Sequence, residues 1–97
     1  MTFESYLLSL ENDHPPEFSL YLKSLWYQRK GRWDKAHRIA QDISDKNGSW
    51  IHAYLHRVEG ELWNSNYWYS RAGRAMPETS LEEEWKYLVD YFLKQES

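Results

Sequence analysis

Glycine occurs at only four positions of this chain, 31, 48, 60 and 73, and proline at only three, 15, 16 and 77. Both interrupt regular structure, glycine by ending helices in a left-handed turn and proline by lacking an N–H. Their scarcity divides the chain into pieces of helix length. Within those pieces apolar residues recur at helical spacing, and no stretch alternates as a strand would. Phe3, Tyr6, Leu7 and Leu10 make the i, i+3, i+4, i+7 stripe of an N-terminal helix in residues 1–11. Phe18, Tyr21, Leu22, Leu25 and Trp26 form the face of a second helix, with Pro16 and Glu17 predicted in its first turn and Gly31 as its stop. Trp33, Ala36, Ala40 and Ile43 share one side of a third, which Asn47-Gly48 is expected to close. Ser49 is the expected cap of a fourth, whose face is Ile51, Leu55 and Val58. After Gly60, the residues Leu62, Trp63, Tyr67, Trp68 and Tyr69 surround a fifth. Ser80-Leu81-Glu82-Glu83 has the capping-box form and opens a last helix with Trp85, Leu88, Val89 and Phe92 on one stripe.

The pattern predicts an all-α fold of five or six short helices in one domain, residues 1–97. Short links at Gly31 and Gly60 imply two antiparallel hairpins, over 17–46 and 49–74, with a capping helix over 80–95.

Whether so short a chain can build a core is a matter of composition. Leu, Ile, Val and Phe total 19 of 97 residues, near the roughly 20% level that accompanies disorder in highly charged chains. Here the net charge is only −3, and 6 Trp and 8 Tyr supply the missing core material, each ring burying roughly 150–250 Å². Surface scaling then gives a folded area of roughly 5,900 Å². Buried indole N–H and phenol O–H groups need acceptors, so polar side chains beside the rings are expected.

Several functions drop out. Without cysteine the chain has no disulfide, thiolate metal site or Cys nucleophile. Apolar runs of at most three residues and a mean hydropathy of −0.90 leave no membrane span. An acid at Glu4 does not suit a signal peptide, so a cytoplasmic location is expected. There is no Gly-x-Ser-x-Gly elbow, phosphate loop or dinucleotide fingerprint. Glu82-Glu83-Glu84 reads as helix-start charge.

An internal echo accompanies the hairpins. A shift of thirty residues aligns Leu25 with Leu55 and Trp33 with Trp63. Ser24, Tyr27, Ala36 and Ala40 of the first hairpin resemble the small and aromatic positions of a tetratricopeptide unit, and the likeness extends over about 55 residues. The run Trp33-Asp34-Lys35-Ala36-His37, Gln41, His52-Ala53-Tyr54-Leu55-His56-Arg57, Glu59 and Asn64-Ser65-Asn66-Tyr67-Trp68 also resembles a group of uncharacterised small proteins. The first likeness implies paired, stacked helices; the second implies no activity.

The most chemically suggestive stretch is His52-Ala53-Tyr54-Leu55-His56-Arg57-Val58-Glu59. On one helix, His52, His56 and Glu59 fall within about 60° of one another. Two histidines at i, i+4 with a carboxylate make a candidate zinc or iron set. The same residues also suit a structural network, with imidazoles accepting from Trp or Tyr and Glu59 paired to an arginine. His37, from the preceding helix, could join either arrangement. A second group, Asn64, Tyr67, Trp68 and Arg71 with Arg57 and Glu59, could line a groove for a carboxylate or phosphate. It could equally be an internal pairing of Arg57 or Arg71 with Glu59.

Charge is uneven: −4 over residues 1–18, +4 over 19–46, +1 over 47–77 and −4 over 78–97. Arg29, Lys30, Arg32, Lys35 and Arg38 surround Trp33, a pattern that can serve nucleic acid. The pI near 5.8 argues against it, and acidic ends can fold back over a basic middle. The function expected from this reading is binding, of a peptide or protein partner, with no cofactor. The alternative is a zinc or iron site, or an anionic small-molecule site, on His52, His56 and Glu59 with Arg57 and Arg71.

Overall fold

The computed structural model describes residues 1–96 and contains six α-helices: α1 (Phe3–Ser9), α2 (Leu20–Arg29), α3 (Trp33–Gln41), α4 (Lys46–Val58), α5 (Leu62–Arg71) and α6 (Leu81–Gln95). There is no strand among the described residues, as the helical spacing predicts. No helix is long and apolar enough to cross a membrane.

Two hairpins, α2–α3 and α4–α5, form the centre, with α3 packed on α4. Each hairpin turns through a single glycine. At the first, Gly31 has φ 81°, its N–H donates to the Gln28 carbonyl and the Arg32 N–H donates to the Tyr27 carbonyl. At the second, Gly60 has φ 76°, and the same two bonds run from Gly60 to Arg57 and from Glu61 to His56. This is the Schellman closure, which a side chain at the glycine would strain. Arg32 and Glu61 then begin the next helix directly, accepting from Ala36 and Ser65.

These equivalences fix the repeat at 29 residues rather than thirty. The same shift relates the bonds that lock each hairpin. Ser24 Oγ donates to the Ala36 carbonyl at 2.8 Å, and Ser65 Oγ to the Ala53 carbonyl at 2.8 Å. The serine lies on the first helix in one hairpin and on the second in the other, always opposite an alanine, so small side chains permit the close crossing at both places.

Some helix boundaries differ from the expectation. Pro16 and Glu17 precede α2, whose cap is Ser19, with Oγ accepting from Leu22 N–H. Asn47-Gly48 does not close α3; it lies in the first turn of α4, capped by Asp45 instead of Ser49. Gly48 is required for another reason: a Cβ there would lie 2.3 Å from the Ile43 carbonyl oxygen. The last helix does open with a capping box of Ser80 and Glu83. It lies along α1, α2 and α4, spanning both hairpins side-on instead of closing the end of the stack.

The core is aromatic. Trp26, Trp85, Tyr6, Tyr54, Tyr69 and Phe92 are fully buried among Leu22, Leu25, Ile51, Leu55, Leu88 and Val89. The exposed area is 5927 Å², the value expected for a chain this size. Acidic ends do meet the basic middle: Arg29 pairs with Glu82 at 2.9 Å and lies over Trp85. Lys30 binds the Leu10 carbonyl, and Lys35 sits over Tyr27.

Candidate metal centre

His37 projects from α3, and His52 and His56 project one turn apart from α4. His37 Nε2 lies 2.8 Å from His52 Nε2, with the rings edge to face at 4.5 Å. The rings of His52 and His56 are stacked within 17° at 4.9 Å. One nitrogen from each of the three residues lies within 4.8 Å of the others. A tetrahedral zinc ion with bonds of about 2.0–2.1 Å separates its nitrogens by roughly 3.4 Å, a value inside that span. The observed separations, 2.8 Å for His37–His52 and at most 4.8 Å overall, thus bracket that value.

Two indoles hold the rings. Trp33 stacks on His37 at 4.8 Å and meets His56 edge-on, while its own N–H donates to the Leu55 carbonyl at 2.8 Å. Trp68 stacks on His52 with centroids 3.9 Å apart. His52 is buried and the other two half-buried. Burial, then the neighbouring His37 and His56, pushes the pKa of His52 down to about 4. Burial and His56 also lower that of His37. At neutral pH both are therefore uncharged imidazoles, the form that binds metal.

Glu59 does not join them. The helical spacing continues to residue 59, but α4 ends at Val58 and Glu59 is its exposed C-cap. The Gly60 turn instead brings back Glu61, whose carboxylate oxygen lies 3.0 Å from His56 Nδ1. A carboxylate beside one ring nitrogen of a histidine is the arrangement that orients metal-bound imidazoles. Sequence reasoning missed Glu61. The signal was available in Gly60, since a Schellman turn folds the next residue over the last turn of the helix.

The histidines do form a polar network, with each other and with Glu61, but not by accepting from the hydrogen-bonded indoles and phenols of the core. Trp26 N–H donates to Ser9 Oγ, Trp85 N–H to the Leu25 carbonyl and Tyr6 O–H to the Leu22 carbonyl. Tyr54 donates to Gln28 and Tyr69 to Glu84. None of these buried donors uses an imidazole. These donors find acceptors elsewhere in the core, and the imidazoles bond to one another and to Glu61.

The remaining candidates divide. Arg57 points to α6, where it pairs with Glu84 at 2.7 Å and with the Thr79 carbonyl, not with Glu59. Glu84 is only 4% exposed, and its other oxygen accepts from Tyr69 at 2.5 Å. Arg71 lies 5.5 Å over Trp68 and donates to the Tyr67 hydroxyl at 3.3 Å; among the described residues it makes no ion pair. Tyr67 is exposed and Asn64 half-buried, and neither touches the imidazoles through the ring or hydrogen-bond contacts described above. His52, Trp68 and Arg71 share a cavity of about 360 Å³. A larger one of about 590 Å³ lies beside Trp50, Arg74 and Glu84, but Arg74 is laid on the Trp50 ring at 3.4 Å and Glu84 is already paired.

Comparison with protein-family models, curated proteins and solved structures found no match.

Proposed function

We propose that this domain binds a divalent late transition-metal ion, zinc above all, through His37, His52 and His56, with Glu61 positioning His56. The observation that carries the reading is the convergence of three imidazole nitrogens within 4.8 Å where no aromatic donor needs them. An all-imidazole set suits zinc, copper or nickel, whereas the iron alternative called for a carboxylate that Glu59 does not supply here. His37 and His56 are half-buried, so an ion can reach them from solvent. Titration of chelator-stripped protein with zinc tests the reading. The expected result is one equivalent bound with a rise in Tm, both lost in His37→Ala and His56→Ala. Less than about a tenth of an equivalent, or a thermal shift that survives in the double variant, overturns it.

A second reading, binding of a partner protein, has one observation in its favour. The tetratricopeptide-like stacking of α4 on α3 uses Trp33, and the residue 29 places on is Leu62, which is 55% exposed on α5 beside Trp63 at 80%. An amphipathic helix of a partner seated on α5 would continue the stack. Loss of any such complex in Trp63→Ala, with zinc binding unchanged, would separate the two readings.

A further inference from the structure

The cavity beside His52 has a chemistry of its own. It lies where the end of α3, the first turn of α4 and the end of α5 meet, and Gln41, Ser44, Ser49, His52, Trp68 and Arg71 supply its polar and aromatic lining. No acidic residue lines it. The side chains of Gln41, Ser44 and Ser49 make none of the hydrogen bonds that hold the fold together, and Arg71 has no carboxylate partner among the described residues. The larger cavity is the opposite case, since Arg74 lies on Trp50, Glu84 is paired with Arg57 and Glu83 accepts from the Ser80 N–H.

Arg71 is exposed to solvent at the rim of this cavity, where its single charge and planar fork match a carboxylate. The first turn of α4 borders the same space, but its N-terminus is already capped by the Asp45 carboxylate, so the attraction rests on Arg71. We infer that this cavity is a binding site for a small organic monocarboxylate, its carboxylate held by Arg71 and its body lying against Trp68 within reach of Gln41, Ser44 and Ser49. The site stands on its lining and does not require a metal on the histidines.

The test uses chelator-stripped, full-length protein titrated with benzoate and followed by amide and indole N–H NMR signals. Benzoate is expected to shift the Trp68 indole and the Gly48 and Ser49 amides. Benzamide, of the same shape without the charge, should bind at least tenfold more weakly, as should benzoate to Arg71→Gln. His56→Ala, which removes a metal ligand away from the cavity lining, should retain benzoate binding. Three results overturn the inference: no shift at these positions, equal binding by benzamide or Arg71→Gln, and competition by inorganic phosphate at equal concentration. Binding that occurs only after zinc is added also overturns it, because the carboxylate would then be a metal ligand. Failure of zinc to bind, with benzoate still bound, would sink the metal reading alone.

Discussion

Helix α4 sends polar side chains into two clusters, and they are closed in different ways. Towards α6, Arg57 meets Glu84, and Glu84 meets Tyr69. Opposite charges pair there, both carboxylate oxygens are used, and burial followed by the Glu84 hydrogen bond raises the Tyr69 pKa. Towards α3, three groups of the same kind meet, each a base, and protonating one discourages protonating the next. The first cluster is complete within the protein. The second satisfies itself only through one imidazole pair and one carboxylate.

Breaking the closed cluster should cost most. Glu84→Ala leaves the Arg57 guanidinium, whose side chain is 14% exposed, beside a buried void, with an expected loss of about 3–5 kcal/mol in denaturant unfolding. A loss below about 1 kcal/mol would show that water replaces the carboxylate and that the cluster is not closed.

The open cluster should respond to acid. The folded pKa of His52 is about 4 against 6.5 unfolded, so the unfolded chain takes up the proton first as pH falls. Stability is full above pH 6.5, declines below it and reaches its full loss near pH 4, a difference of about 3 kcal/mol. His37 shifts in the same direction. Urea midpoints of metal-free protein between pH 7 and 4 measure this, and His52→Gln should flatten the curve. An unchanged slope in that variant would place the effect elsewhere.

Zinc should steepen the same pH dependence. At a hundredfold excess over Kd, a ligand bound only by the folded state adds about 2.7 kcal/mol. The gain should appear at pH 7 and shrink at pH 5, where protons compete for the imidazoles. Glu61→Gln should weaken zinc binding about tenfold or more through His56 while leaving Arg57–Glu84 untouched.

The smallest expected effect tests the scaffold that both clusters share. Ser24→Ala and Ser65→Ala each remove one interhelical hydrogen bond at equivalent crossings, at about 1 kcal/mol apiece. Equal losses are expected in thermal unfolding if the two hairpins are energetic as well as geometric repeats.

The fold was largely legible because helix stops are local chemistry. Gly31 and Gly60 announce their turns, and Ser80 with Glu83 announces a cap. Gly48 shows where such reading ends. A glycine needed for left-handed backbone and one needed for close approach are the same letter, and only the contact with Ile43 distinguishes them. The candidate site was legible in its histidines, which share helical spacing or lie on the neighbouring helix. Its carboxylate was misassigned because periodicity was extended past a helix end, from His56 to Glu59, when the chain had already turned back to Glu61. The destination of Arg57 was not legible at all, since Glu84 is 27 residues away and reaches it only through the docking of α6.

Gly48 also bears on the spacing of the histidines. His37 and His52 are 15 residues apart, and bringing them together in a free chain would carry a loop-closure cost on the order of 2 kcal/mol. The fold has already closed that loop, and the gap between the two rings follows how nearly α4 approaches the end of α3. That approach depends on an absent methyl group. A single added carbon at position 48 would push against Ile43 and shift α4 against the end of α3, moving His52 relative to His37 although Gly48 touches neither.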